Sequence, residues 1–122
     1  MNSVYLELWN LAKPFYEQGR VYDIEQVEWM LKEAERIAPL VDVDQKILLP
    51  LIILHDIGYC FVENKNPNIK DPLSKKLHMQ KGAIIAQQLL EKANYDRELI
   101  PEIVYYISIH DNWALGEDSV YQ

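Results

Sequence analysis

Apolar residues recur at helical spacing along most of the chain, and no stretch of useful length alternates in the manner of a β-strand. The first predicted helix has apolar residues every three or four positions, namely Val4, Leu8, Leu11 and Phe15. Pro14 should kink or end this helix, because proline has no N–H to donate to the preceding turn. Gly19 then marks a break between the first helix and the next.

A second helix is predicted to begin at Asp23, which is a suitable N-cap residue. Gln26 stands three positions later, as in a capping box. The apolar stripe of this helix consists of Ile24, Val27, Leu31, Ala34 and Ala38. Pro39 should end it.

The third helix is predicted over residues 45–57, with Asp44 as its N-cap. It is apolar nearly all round, which is typical of a central, buried helix. Pro50 is expected to kink it, and Gly58 is a natural stop at its C-terminal end. This most apolar helix ends in two polar residues, His55 and Asp56.

The second half of the chain predicts a long loop over residues 59–70 and two further helices. Asp71 and Pro72 are typical of a helix start, and the fourth helix should reach about Lys92. Gly82 inside it costs about 1 kcal/mol relative to alanine, which suggests that another backbone approaches closely there. A fifth helical region opens at Asp96 and restarts at Pro101. The predicted architecture is an all-α bundle of about five helices, in a single domain over residues 1–122.

Composition narrows the class of protein. The 122 residues are 49% hydrophobic and 25% charged, which is a globular balance. With 19 acidic against 12 basic residues, we expect no binding to a nucleic-acid polymer. The longest apolar run, residues 47–54, is too short to span a bilayer, and the N-terminus lacks the basic region of a signal peptide, so we expect no membrane association. The single cysteine, Cys60, is consistent with a cytoplasmic protein.

All three histidines of the chain fall on faces that should point into the core. His55 precedes Asp56 at the end of the apolar third helix, and His78 and His110 lie on the inner stripes of the fourth and fifth helices. A buried carboxylate is unfavourable unless it is paired or binds a cation. Imidazole and carboxylate groups are the usual protein ligands of transition metals. These four residues therefore predict a metal site, with hydrogen-bonded core histidines as the alternative.

The segment from Leu54 to Gly58, read as Leu-His-Asp-Ile-Gly, resembles the motif that names the HD-domain superfamily of metal-dependent phosphohydrolases. Three other segments resemble that family as well. Residues 23–27 resemble its first helix motif, with Gln26 where a histidine would stand. Residues 78–83 resemble the following segment, in which Gly-Ala comes after a histidine, and residues 107–111 resemble a later histidine motif.

This resemblance implies an HD-domain-like fold and hydrolysis of a phosphate ester of a nucleotide or other small phosphorylated compound through a metal-activated water. The implied cofactor is one or two divalent transition metal ions (Mn, Fe, Co, Ni or Zn), held by His55, Asp56, His78 and His110. Asp56 would anchor the metal, and Asp111 would orient His110 or contact the metal. Candidates for contact with the substrate are Arg20, Lys81 and Gln26.

Departures from the family pattern favour a second hypothesis, a catalytically degenerate module that binds a ligand or a partner protein. The family's first histidine is replaced by Gln26, and its late aspartate is not found, since Asp118 lies in the tail. Tyr59 stands where a lysine often follows the His-Asp motif. The resemblance further implies a domain truncated at its C-terminal end. The apolar surface exposed by such a truncation would favour a homodimer.

Overall fold

Five α-helices form most of the part of the chain that the computed structural model describes, residues 2–62 and 72–110. They are α1 (Ser3–Gln18), α2 (Asp23–Ile37), α3 (Gln45–Leu54), α4 (Pro72–Lys92) and α5 (Ile100–Ile109). Two short 3-10 helices, Ala38–Leu40 and Ile57–Phe61, follow α2 and α3. These described residues contain no strand, so the all-α prediction is confirmed.

Helix α1 contains Pro14, at which the sequence predicts a kink or an end of the helix. It runs through Pro14 without ending and continues to Gln18, with Gly19 as the C-cap residue. Proline in a helix interior removes one hydrogen bond, and burial of the face that carries Tyr5, Leu8, Trp9, Ala12 and Tyr16 offsets this loss. The predicted break at Gly19 is confirmed.

Helix α3 is the central helix, as predicted, and all but three of its ten residues are buried. The side chain of Asp44 caps it by accepting a hydrogen bond from the N–H of Lys46 at 2.9 Å. The helix ends at Leu54, three residues earlier than predicted, because Asp56 adopts φ −106° and ψ 11° and the chain continues as the 3-10 helix Ile57–Phe61. This 3-10 helix occupies the first part of the predicted long loop.

The early end of α3 coincides with a close approach of two backbones. A Cβ atom added to Gly58 would collide with the carbonyl oxygen of His78 and would lie 2.7 Å from the backbone nitrogen of Gly82. A Cβ added to Gly82 would lie 3.3 Å from the backbone nitrogen of Gly58. The predicted approach at Gly82 is therefore confirmed, and it sets the His-Asp segment directly against α4.

The starts of α2 and α5 were predicted less well. Tyr22 is the N-cap residue of α2, and Asp23 is its first helical residue and makes no capping bond. Asp96 opens a turn, in which its side chain accepts a hydrogen bond from the N–H of Glu98, and α5 begins only at Ile100. Helix α4 starts at Pro72 and ends at Lys92, as predicted.

No helix in residues 2–62 and 72–110 is both long and apolar enough to cross a membrane. Asp71, the rest of the predicted loop from residue 63, and the tail that contains Asp111 and Asp118 lie outside the described residues.

Candidate metal centre

Three elements bring the predicted histidines and Asp56 to one place. His55 is the C-cap residue of α3, and Asp56 follows it directly. His78 lies on the inner face of α4 and is fully buried. His110 is the C-cap residue of α5. Side chains from three separate parts of the chain thus converge on a single carboxylate.

The tightest group within this centre consists of Asp56, His78 and His110. Their ligand atoms all lie within 4.8 Å of one another. The Nε2 atoms of the two histidines are 3.2 Å apart. Asp56 Oδ1 lies 3.3 Å from the Nε2 of His110 and 3.5 Å from the Nε2 of His78.

Two of the imidazole rings are oriented by carbonyl oxygens of their own helices. The Nδ1 atoms of His55 and His110 lie 2.8 Å from the carbonyl oxygens of Ile52 and Ile107. Because a carbonyl oxygen can only accept, both Nδ1 atoms carry a proton. In the neutral rings the lone pair is therefore on Nε2, which is the atom that faces Asp56 in each case. Histidines that bind metals usually donate their other N–H in this way.

His55 faces the second oxygen of Asp56, with its Nε2 3.2 Å from Oδ2. Burial on its own lowers the pKa of His55, but the charge of Asp56 and hydrogen bonds to Asp56 and Ile52 raise it to about 9. Burial likewise acts to raise the pKa of Asp56, but the charge of His55 and hydrogen bonds from His110, His55 and His78 hold it well below its usual value. Without a metal, a proton on His55 thus balances the buried carboxylate at neutral pH.

Arg20 is the only one of the three predicted substrate-contacting residues with a described contact to this centre. Its Nη2 lies 3.5 Å from Asp56 Oδ2. Asp23 holds the same guanidinium through two bonds, from Nε at 2.9 Å and from Nη2 at 3.1 Å. The carbon of the guanidinium also lies 3.7 Å from the centroid of the Tyr59 ring.

Neither Gln26 nor Lys81 has a described contact with the centre. Gln26 is exposed on α2, and the buried residue of that first turn is Asp23, at 1% exposure. Lys81 is exposed on α4, where its Nζ lies 5.8 Å from the centroid of the Phe61 ring. Asp111 is outside the described residues, so its predicted role stays a prediction.

Sequence reasoning missed the positions of Asp23 and Tyr59 in this centre. Tyr59 stacks on His78, with ring centroids 4.0 Å apart. The sequence does carry a signal for Asp23, because it continues the buried stripe of α2 one turn before Val27 and Leu31. An acidic residue on such a stripe needs a cation, and Arg20 is three positions away.

The donor set fits a divalent transition metal. Two imidazole nitrogens and one carboxylate oxygen match the ligand preferences of zinc and related metals. Ligands about 2.1 Å from an ion in a tetrahedral arrangement lie about 3.3–3.4 Å from one another. The three measured distances, 3.2, 3.3 and 3.5 Å, bracket that value. A set of three protein ligands also leaves a position for water or substrate, as in catalytic sites.

Comparison with protein families gives a match to the HD domain over residues 25–118, more than half of the chain. Searches of curated proteins and of solved structures gave no match. The matched region includes α3, α4 and α5, the three helices that carry the centre. The chain therefore belongs to the HD domain family, which is a family of the metal-dependent phosphohydrolase type.

Proposed function

We propose that the protein is a metal-dependent phosphohydrolase that hydrolyses a phosphate ester of a nucleotide or another small phosphorylated compound. The observation that carries this proposal is the triangle of Asp56 Oδ1, His78 Nε2 and His110 Nε2, whose sides match the ligand spacing of a tetrahedral metal site. Membership of the HD domain family supports the same reaction type.

The residues of the centre would have separate roles in hydrolysis. Asp56, His78 and His110 would hold the ion, for which Mn, Fe, Co, Ni and Zn are all suited to the donor set. When bound, such an ion polarises a phosphoryl oxygen and lowers the pKa of a coordinated water molecule toward neutrality. The Ile107 carbonyl keeps the His110 ring in the tautomer that presents Nε2, so this ligand needs no rearrangement.

Arg20 is the residue of this chain that would bind the phosphate of the substrate. The guanidinium has five N–H groups, and its contacts with Asp23 and Asp56 involve Nε and Nη2, so donors remain for a phosphoryl oxygen. The net charge of −7 makes a small phosphorylated compound a more suitable partner than a nucleic-acid polymer.

A catalytically degenerate module is the second candidate function. It is favoured by the ion pair between Arg20 and Asp56, which neutralises part of the carboxylate, and by the exposed position of Gln26. In that case the domain would bind a ligand or a partner protein without turnover.

Metal analysis and activity measurement together test the proposal. Protein purified without chelator should contain a divalent transition metal, and it should release phosphate from p-nitrophenyl phosphate or from nucleoside monophosphates. Asp56→Asn should lose both the metal and the activity. Asp42→Asn is a matched control, because Asp42 is exposed on the segment before α3 and should tolerate the change. Metal bound without any turnover would favour the degenerate module, and phosphate release that persists in Asp56→Asn would reject this centre.

A further inference from the structure

The two oxygens of Asp56 face different partners, which divides the centre into two halves. Oδ1 faces the histidine pair, with His110 at 3.3 Å and His78 at 3.5 Å. Oδ2 faces His55 at 3.2 Å and the Nη2 of Arg20 at 3.5 Å. The Oδ1 half thus consists of potential metal ligands, whereas the Oδ2 half already contains a cation that belongs to the protein.

The guanidinium of Arg20 is held in place on several sides. Asp23 binds it through both of its carboxylate oxygens, at 2.9 and 3.1 Å. Its carbon lies 3.7 Å from the centroid of the Tyr59 ring, within the range of a cation–π contact. Bidentate pairing and stacking both restrict a guanidinium more than a single ion pair does. Arg20 is therefore a fixed charge of the centre.

Removing Arg20 from this position would leave Asp23 without its cation and would leave Asp56 with only His55 at its Oδ2. The side chain of Asp23 is only 2% exposed and that of Asp56 only 12%. An uncompensated buried carboxylate is strongly unfavourable. A divalent ion bound at Oδ2 would have to displace Arg20 from both carboxylates, or bind beside Arg20 against the repulsion between the two positive charges. Either alternative opposes a second ion.

We propose that Arg20, fixed by Asp23, takes the place of a second metal ion, so that the centre binds one divalent ion per chain through Asp56, His78 and His110. This inference rests on the metal site of the proposed function. In this arrangement Asp56, His78 and His110 would hold the ion on the Oδ1 side, and Arg20 would bind a phosphoryl group from the Oδ2 side. The match to the HD domain begins at residue 25, so Arg20 and Asp23 lie outside the region that matches the family.

Metal stoichiometry tests this inference without any activity measurement. Titration of metal-depleted protein with Co²⁺, followed by calorimetry and by the visible absorption of the ion, should give one ion per chain. In Arg20→Ala, a second ion can be bound by the carboxylates of Asp23 and Asp56 and the Nε2 of His55. The number of Co²⁺ ions per chain should therefore rise to two. Arg20→Lys is the matched control, because it keeps a positive charge, and it should stay at one.

A second variant covers the case in which Arg20→Ala does not fold. Arg20→Ala combined with Asp23→His removes both charges of the pair and supplies an imidazole, and it should also bind two ions. Two ions in the unmodified protein, or one ion in every folded variant without a positive charge at position 20, would overturn the inference. One ion without turnover would reject only the proposed function. No ion at all would reject the metal site on which both depend.

Discussion

The ring of Tyr59 lies nearly flat on the imidazole of His78, with the centroids 4.0 Å apart and the planes inclined by 16°. The same tyrosine ring contacts the guanidinium of Arg20. Tyr59 thus connects a candidate metal ligand to the fixed cation of the centre, although its position in the sequence is on the 3-10 helix after the His-Asp motif.

Loss of the Tyr59 ring should weaken metal binding. Tyr59→Ala removes the surface against which His78 and Arg20 are placed, and we expect the affinity for Co²⁺ to fall about tenfold, as it does when groups that orient metal ligands are removed. Tyr59→Phe keeps the ring and should retain most of the affinity. Calorimetric titration of both variants measures the difference. Equal losses in the two variants would show that the ring contacts do not orient His78.

The three histidines should not contribute equally to metal affinity. His78→Gln and His110→Gln each remove a member of the tight group with Asp56, and each should weaken binding of the ion more than about 100-fold, a larger loss than for an orienting residue. His55→Gln should have a smaller effect, because His55 faces the other oxygen of Asp56. Competition with a chromogenic chelator measures all three affinities. If His55→Gln is the most damaging of the three, the ion binds at Oδ2 and the assignment is wrong.

The stability of the metal-free protein should fall as the pH rises through neutrality. The pKa of His55 is about 9 in the folded protein, against an ordinary value of 6.5. Below pH 6.5 both states carry the proton, so the pairing with Asp56 contributes fully to the free energy of unfolding. Between pH 6.5 and 9 the unfolded chain loses the proton first, and this contribution is lost progressively.

Urea unfolding in the presence of a chelator, at pH 6.5 and at pH 9, measures this decline. His55→Gln has no such proton to lose, so its free energy of unfolding should differ much less between pH 6.5 and pH 9. Below about pH 4 Asp56 determines the pH dependence of the free energy of unfolding. Its pKa is lowered in the folded protein, so its contribution to stability is lost as the carboxylate is protonated. If the free energy of unfolding declines equally in His55→Gln, the decline is due to groups other than His55.

The two facing glycines should differ in their tolerance of alanine. Gly58→Ala directs a methyl group at the backbone of His78 and Gly82, which cannot retreat without moving α4, and we expect a loss of at least about 2 kcal/mol in the free energy of unfolding. Gly82→Ala meets the nitrogen of Gly58 at 3.3 Å and gains helix propensity of about 1 kcal/mol, so its net effect should be smaller. Chemical denaturation ranks the two variants, and the reverse order would contradict the packing described.

The parts of the structure that the sequence predicts are those with a strong local signal. His55, Asp56, His78 and His110 stand out because polar groups on apolar faces are rare, and the structure brings all four together. The end of α3 was harder to place, because the apolar run continues through Ile57 and periodicity does not separate an α-helix from the 3-10 helix that follows. That boundary depends on how closely Gly58 packs against α4, which is a tertiary contact.

Asp23 illustrates a second limit of sequence reasoning. An aspartate at a helix start is equally suited to cap the helix or to bind a neighbouring arginine, and the local pattern is the same in both cases. Only the position of Asp56, 33 residues later in the chain, draws Arg20 and Asp23 into the centre. Gln26 is exposed and lies one turn after Asp23. It is the residue at the position of the family's first histidine in the resemblance described above.

The C-terminal ends of α3 and α5 meet at this centre, since His55 and His110 are their C-cap residues. Each helix end carries a partial negative charge of roughly half an elementary charge from its backbone dipoles. Together with Asp56, these ends give the Oδ1 side of the centre an electrostatic potential that favours cations over anions. The consequence is a preferred order of binding: a phosphorylated compound should associate more tightly after a metal ion has reversed the sign of the potential on the Oδ1 side.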